Sequence, residues 1–149
     1  GPPPRICAAQ AAGCAPIVKA FQEGRSESEP WRDPATIAPG LRVPKPFADA
    51  LVLRGLRETN GTAVAVTDDA MRAAVELDSM EGIGACYEGG ASLAALRELI
   101  DRGQMGSDET VVLFNTGTPL KNPSPPRPSK LVTVASAVEI EKQIASDAG

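Results

Sequence analysis

The polar residues best suited to chemistry in this sequence follow its apolar runs. Asn115, Thr116 and Gly117 come directly after the apolar run at residues 110–114. A hydroxyl at the carboxyl end of a buried strand can hydrogen-bond a planar ligand, and a neighbouring glycine lets the backbone approach that ligand closely. The same residue types are common in turns. Thr116 therefore either contacts a ligand or closes a turn.

Glu88 is the second candidate, because it precedes Gly89 and Gly90 and then a strongly amphipathic stretch. A carboxylate in the first turn of a helix is stabilised by the helix dipole, and there it could orient a ligand or exchange a proton with it. It could equally cap the helix. The two glycines could form an anion-binding nest. The sequence contains neither GxGxxG nor GxxxxGK[ST], so support for a nucleotide phosphate site is weak.

Composition excludes several classes of function. The 149 residues include no histidine, which removes histidine general bases, His-dependent nucleophiles and histidine zinc sites. Cys7, Cys14 and Cys86 form no CxxC pair, so we expect no metal site and three buried, unpaired thiols in a reducing cytoplasm. A net charge of −4 and only 3% aromatic residues argue against a nucleic-acid partner. No apolar run approaches the roughly 20 residues of a membrane span.

The elements that must position these candidates alternate between strands and helices. Compact apolar runs predict parallel strands at residues 5–10, 63–66, 83–86 and 110–114. Amphipathic spacing predicts helices at residues 15–22, 47–58 and 91–102, and a further helix that begins after an N-cap at Thr67, with Asp68 and Asp69 on its dipole. This order predicts an α/β fold, a three-layer αβα domain with a mainly parallel sheet. Ligands bind at the carboxyl ends of the strands in such sheets.

Proline marks the segments that connect and follow these elements. Residues 25–46 form a long polar loop, and loops of this length often carry binding sites. We expect residues 1–121 to be the C-terminal part of an α/β domain and residues 122–130 to be a proline-rich linker. A terminal strand and helix should occupy residues 131–149, with a capping box that begins at Ser136.

Six short motifs follow one another in a recognisable order and spacing. They are AQAAGCAP at residues 9–16, TIAPGLRVP at 36–44, AVTDD at 65–69, EGI at 81–83, YEGGA at 87–91 and FNTG at 114–117, followed by Leu120 and Lys121. Together they resemble the threonine synthase family, pyridoxal-phosphate enzymes of the tryptophan-synthase-β fold type. The resemblance covers residues 5–121, and it implies that the chain is the C-terminal part of a larger fold-type-II enzyme.

The resemblance implies cofactor-binding roles for residues 115–117. In this fold type a Ser or Thr after the last core strand hydrogen-bonds the pyridine nitrogen of pyridoxal phosphate. Thr116 matches that position, with Asn115 and Gly117 beside it. The chemistry agrees, because a neutral hydroxyl does not force the ring nitrogen to be protonated, whereas an aspartate would.

The resemblance also implies roles for two other segments. Glu88 matches the acidic residue that leads the helix beside the cofactor ring, and it is the expected catalytic residue. Ala38 and Gly40 belong to a loop that packs near the ring. The family holds its cofactor as a Schiff base on a lysine in its N-terminal half and cradles the cofactor phosphate in a glycine-rich loop. Neither of these motifs occurs in the 149 residues.

The implied reaction of the complete enzyme is the conversion of O-phosphohomoserine and water to threonine and phosphate. Its partners would be a phosphorylated amino-acid substrate, the rest of the enzyme chain and, as one hypothesis, a second copy in a homodimer. A related fold-type-II lyase is an alternative, of the threonine dehydratase or cysteate synthase type. The missing lysine favours a third interpretation, a catalytically inactive domain that serves interaction or regulation.

Overall fold

A computed structural model describes residue 1 and residues 3–121 of the chain. The elements are β1 (Cys7–Ala11), α1 (Pro16–Gln22), α2 (Asp49–Glu58), β2 (Thr62–Val66), α3 (Asp68–Met80) and α4 (Tyr87–Asp101), with single 3-10 turns at Pro39–Leu41 and Pro119–Lys121. The predictions for residues 122–130 and 131–149 lie outside the described residues. No helix in the described part is long and apolar enough to cross a membrane.

The centre of the fold is a parallel pair of strands. β1 and β2 run in the same direction, with Cys7 opposite Thr62 and Ala11 opposite Val66. β1 consists mainly of small residues, and β2 alternates alanine with β-branched residues, as expected for short strands that are covered on both faces. The predicted parallel pairing of these two segments is therefore confirmed.

Helices cover both faces of this pair, because successive side chains of a strand point to opposite sides. On one face α1 and α2 pack in a cluster made of Ala15, Ile17, Val18, Ala20, Leu53, Leu56 and Ala63. On the other face α3 and α4 pack in a cluster that includes Ala11, Ala38, Val64, Val66, Met71, Ala74, Ala91 and Leu99. The predicted three-layer αβα architecture is confirmed.

The predicted strand at residues 83–86 is wrong, because these residues connect the end of α3 to the start of α4. Gly82, at φ +75°, follows the end of α3. A Cβ added to Gly90 of α4 would lie 2.8 Å from the carbonyl oxygen of Met71, so the start of α4 lies beside the first turn of α3. The 13-residue helix α3 is about 20 Å long. Residues 81 and 82 form the turn that ends it, where the N–H of Ile83 donates to the carbonyl oxygen of Asp78 at 2.8 Å, and residues 83–86 then lead to the start of α4 without pairing as a strand.

The last helix begins earlier than predicted. α4 starts at Tyr87, so Gly89 and Gly90 lie within its first turn instead of ending a strand. Gly90 packs against α3, where a Cβ would lie 2.7 Å from Cγ2 of Val75. The absence of a side chain at this position lets the two helices approach closely, and that contact offsets the low helix propensity of glycine.

The predicted strand at residues 110–114 is also wrong for the described part of the chain. These residues have no strand pairing there. They are exposed along their length, and Val112 and Phe114 are 76% and 75% exposed. Strands pair at about 4.8 Å, whereas a cavity lies between this segment and β1. An apolar run without a neighbour at pairing distance cannot join a sheet.

The three cysteines are free, as predicted, but they differ in exposure. Cys14 and Cys86 are buried, and burial raises the pKa of the Cys14 thiol above its ordinary value. Cys7 is exposed, so the prediction that it is buried is wrong. The reason is its place at the first residue of β1, where it lines the cavity.

A buried carboxylate orders the long loop at residues 25–46. Oδ2 of Asp49 accepts hydrogen bonds from the backbone N–H and the hydroxyl of Ser28, both at 2.7 Å. The ammonium of Lys45 donates to the same oxygen at 2.5 Å. The Asp49 side chain is only 8% exposed. One side chain at the start of α2 therefore joins both ends of the loop.

We expect Asp49→Asn to destabilise the fold in a pH-dependent way. The hydrogen bonds from Lys45 and then from Ser28 hold the pKa of Asp49 well below its ordinary value. A carboxylate with a lowered pKa contributes stability above the ordinary aspartate pKa of about 3.9 and loses it as the pH falls further. Asparagine keeps the shape of the side chain and lacks its charge. The free energy of unfolding of the variant should therefore be lower at pH 7, and the difference from the parent should shrink below about pH 4.

Urea unfolding of both proteins between pH 7 and pH 3 measures this difference. Asp101→Asn is the control, because Asp101 is exposed at the end of α4. That variant should stay close to the parent at every pH. A difference between Asp49→Asn and the parent that is constant from pH 7 to pH 3 would contradict the prediction.

Candidate functional site

A cavity of about 790 Å³ lies between β1, α4 and residues 110–114. Sites for small molecules commonly measure about 300–1,000 Å³ and have mostly apolar walls with a few polar groups. The apolar part of this wall includes Leu99 and Phe114, and three of the predicted site residues, Gly40, Glu88 and Thr116, line the same cavity. The structure thus brings together residues from three separate motifs.

Glu88 connects α4 to the long loop. It lies in the first turn of α4 and is 9% exposed. Its Oε1 accepts a hydrogen bond of 2.7 Å from the backbone N–H of Gly40. A Cβ on Gly40 would lie 2.7 Å from that same oxygen, so a larger residue would displace the carboxylate. The resemblance implied that Glu88 and Gly40 both lie near the same ring, and in the structure they are in direct contact.

Ala38 lies behind the cavity wall. Its side chain is fully buried, at 0% exposure, in the same apolar cluster as Val64. The 3-10 turn Pro39–Leu41 follows directly and presents the Gly40 N–H to Glu88. Ala38 does not line the cavity with Gly40. The structure gives it the role of an anchor for the loop, where the resemblance implied contact with the cofactor.

Asn115 and Gly117 hold Thr116 at the beginning of α4. The side-chain amide of Asn115 donates to the carbonyl oxygen of Gly84 at 3.2 Å. The carbonyl oxygen of Gly117 accepts the N–H of Cys86, the N-cap position of α4, also at 3.2 Å. Of residues 115–117, Thr116 is the one that lines the cavity. Asn115 and Gly117 therefore position the hydroxyl residue between them.

The glycine pair in α4 accommodates neighbouring groups. A Cβ on Gly89 would lie 2.3 Å from Oδ1 of Asn115. Gly90 lies against α3, as described above. Close packing on both sides explains these two glycines without an anion-binding nest.

Sequence reasoning missed one residue that shapes the site. Asp68 was expected only to interact with the dipole of α3, but its two carboxylate oxygens also bind the long loop. Oδ1 accepts the hydroxyl of Thr36 at 2.7 Å, and Oδ2 accepts the N–H of Ile37 at 3.1 Å. The sequence signal was two adjacent acidic residues after the N-cap Thr67, where one is enough for the dipole.

The far end of the cavity contains an ion pair. Arg5 Nη2 lies 3.0 Å from Oε1 of Glu109 and also donates to the carbonyl oxygen of Gln104 at 3.0 Å. Both charged side chains are more than one-third exposed, so the pair contributes little stability. It joins the beginning of β1 to the segment that leads into residues 110–114.

Comparisons with known proteins show the family of this chain. A sequence model described as "Pyridoxal-phosphate dependent enzyme" matches residues 1–117. A threonine synthase of Methanosarcina acetivorans is 42% identical over 121 residues, which are 80% of this chain and 30% of that protein. A threonine synthase of Methanocaldococcus jannaschii is 34% identical over the same shares. This chain thus spans about 30% of the length of these relatives.

A solved structure shows the same fold. The structure of maize serine racemase matches 61% of this chain and 27% of its own, with a TM-score of 0.50 and 24% sequence identity. The likeness supports the α/β fold, in agreement with the three layers described above.

Proposed function

This chain belongs to the pyridoxal-phosphate-dependent enzyme family, and from that membership we propose that it is the C-terminal part of a cytoplasmic threonine synthase. The whole enzyme would convert O-phosphohomoserine and water to threonine and phosphate. The observation that carries the proposal is the meeting of Thr116, Glu88 and Gly40 at one cavity. The identity of 42% to the threonine synthase of Methanosarcina acetivorans supports this particular reaction.

The polar end of the cavity fits part of the cofactor. The hydroxyl of Thr116 is a neutral group that can hydrogen-bond a pyridine nitrogen. The Gly40 turn adds backbone without a side chain, and the apolar wall suits an aromatic ring. When bound, pyridoxal phosphate supplies an electron sink for the reaction.

The residues of this chain would orient and enclose the reacting groups. Thr116 would fix the ring by one hydrogen bond at its hydroxyl. Glu88 would hold the Gly40 turn in place and keep a carboxylate, which can accept a proton, at the edge of the cavity. Leu99 and Phe114 would exclude water from the apolar part.

The covalent attachment of the cofactor would come from outside the described residues. None of the described residues that line the cavity is a lysine. A single neutral hydrogen bond at Thr116 contributes about 0.5–1.5 kcal/mol, whereas micromolar binding requires about 8 kcal/mol. We therefore propose that this chain alone neither retains the cofactor nor turns over substrate, and that activity requires the rest of the enzyme.

A chimeric enzyme tests the function. Residues 1–121 would replace the homologous segment of the Methanosarcina acetivorans threonine synthase, and the same enzyme without that segment is the control. We expect the chimera to retain pyridoxal phosphate, seen as visible absorbance, and to release phosphate and threonine from O-phosphohomoserine. The control should do neither.

The products identify the reaction class. Release of a 2-oxo acid and ammonia from threonine, without phosphate release from O-phosphohomoserine, would indicate a dehydratase and contradict the proposed reaction. A folded chimera that holds no cofactor would instead favour the inactive interaction domain.

A further inference from the structure

We propose that Asp68 is a positioning residue for the site. From the first turn of α3 it fixes residues 36–40 and thereby keeps the Gly40 N–H on Glu88. The inference deepens the proposed function and rests on it for the consequence at the cofactor. The contact itself can be tested on this chain alone.

The carboxylate of Asp68 binds two residues of the loop directly and a third through Thr36. Its two oxygens accept the hydroxyl of Thr36 at 2.7 Å and the N–H of Ile37 at 3.1 Å. Oγ1 of Thr36 in turn accepts the N–H of Ala38 at 3.2 Å. Because each carboxylate oxygen has a different partner, the two hydrogen bonds restrain both the position and the orientation of the loop.

Asp68 and Asp69 both lie in the first turn of α3. Thr67 caps α3 and accepts the N–H of Ala70 at 3.1 Å, so Asp68 lies at the positive end of the helix dipole. Hydrogen bonds to a charged carboxylate are roughly twice as strong as those between neutral groups. Asp69 lies at the same end of the helix dipole but is exposed. Comparison of Asp69→Asn with Asp68→Asn therefore separates the effect of the dipole from the effect of the loop contact.

The loop bridges the first turns of two helices. Only two residues separate Ile37, held by Asp68, from Gly40, held by Glu88. The starts of α3 and α4 are adjacent because Gly90 packs on Met71. A carboxylate in each helix thus accepts one backbone N–H of the same short segment.

Removal of the Asp68 carboxylate should therefore change the position of the Glu88 carboxylate. Without the Asp68 carboxylate, the residues just before the turn Pro39–Leu41 lose two hydrogen bonds. The Gly40 N–H can then move away from Oε1 of Glu88. Glu88 would then lose one of the contacts that orient its carboxylate at the cavity that it lines. Asp68 does not line that cavity, so it acts through Glu88 and is not a catalytic residue.

Amide hydrogen exchange by NMR on the 149-residue chain tests the contact. In Asp68→Asn we expect the exchange protection of the Ile37 and Gly40 amides to fall at least fivefold, about the value of one such hydrogen bond. Asp69→Asn should leave both amides unchanged. Protection of Val64 in β2 reports whether the fold is intact. Unchanged protection at Gly40 in Asp68→Asn would overturn the inference.

A second variant keeps the test decisive if Asp68→Asn does not fold. Thr36→Val keeps the Asp68 carboxylate and removes the hydroxyl that donates to it and that accepts the N–H of Ala38. A loss of protection at Gly40 with Val64 unchanged supports the inference in this variant. Unchanged protection at Gly40 overturns it.

The chimeric enzyme tests the consequence at the cofactor. Asp68→Asn should weaken the binding of pyridoxal phosphate about fivefold, and Asp69→Asn should not. Equal affinity in the two variants overturns the positioning role. A chimera with parental Asp68 that binds no cofactor contradicts the proposed function, while the exchange measurement on the chain alone still decides the contact.

Discussion

Gly13→Ala should destabilise this fold by about 3 kcal/mol, the upper end of the usual cost of overpacking. A Cβ at residue 13 would lie 1.9 Å from the carbonyl oxygen of Ala35 and 3.0 Å from its carbon. Both are backbone atoms, which cannot move aside as the end of a side chain can. The Gly13 carbonyl oxygen also accepts the Ala35 N–H at 3.1 Å. The substitution therefore forces the long loop away from β1 just before Thr36, where Asp68 holds it.

Gly55→Ala is the matched control for this prediction. Gly55 lies within α2, and an added Cβ would have no atom within 4 Å. Alanine should stabilise the helix there by about 0.5–1 kcal/mol. Urea unfolding compares both variants with the parent. Because the whole stability of a domain is only about 5–15 kcal/mol, the two effects should be clearly separated, and a Gly13→Ala variant as stable as the parent would refute the steric argument.

Thr116→Val in the chimeric enzyme should weaken the binding of pyridoxal phosphate about tenfold, the upper end of what one hydrogen bond contributes. Valine has nearly the shape of threonine and lacks the hydroxyl, so the change removes the bond proposed to the ring nitrogen. Turnover should fall as well, because the ring would be oriented less firmly. The melting temperature should stay near that of the parent, since Thr116 is exposed in this structure.

Thr118→Val provides the comparison for this measurement. Thr118 is also exposed and lies two residues further along the chain, but it does not line the cavity. Its substitution should leave cofactor affinity unchanged. Titration of each apoenzyme with pyridoxal phosphate, followed by visible absorbance, gives the two affinities. If both variants bind as tightly as the parent, Thr116 does not contact the cofactor.

The parts of the fold that could be predicted depend on local patterns. Thr67 caps α3 as expected, because a hydroxyl before an amphipathic stretch is a local signal. The pairing of β1 with β2 followed from short apolar runs separated by helices. Residues 83–86 and 110–114 show the limit of this reasoning. An extended apolar run has the same pattern whether it pairs or not, and the difference lies in the neighbours that it meets.

The contacts of the candidate site could not be derived from spacing. The residues of the Gly40–Glu88 hydrogen bond are 48 positions apart, and those of the Thr36–Asp68 bond are 32 apart. Neither pair follows a helical or strand period, so periodicity contains no information about them. The resemblance to a known family indicated Glu88, Gly40 and Thr116 together. The contacts of Asp68 depend on the path of the loop, which brings Thr36 and Ile37 to the start of α3.

The exposed segment at residues 110–114 has a consequence for the solubility of the chain. Its sequence, TVVLF, is uncharged, rich in β-branched and aromatic residues and free of proline and glycine, which is the composition of segments that self-associate through β-pairing. Asp108 and Glu109 immediately precede it. Charges that flank an unavoidable apolar run oppose the stacking of identical chains. We therefore expect these two carboxylates to oppose self-association of the exposed segment.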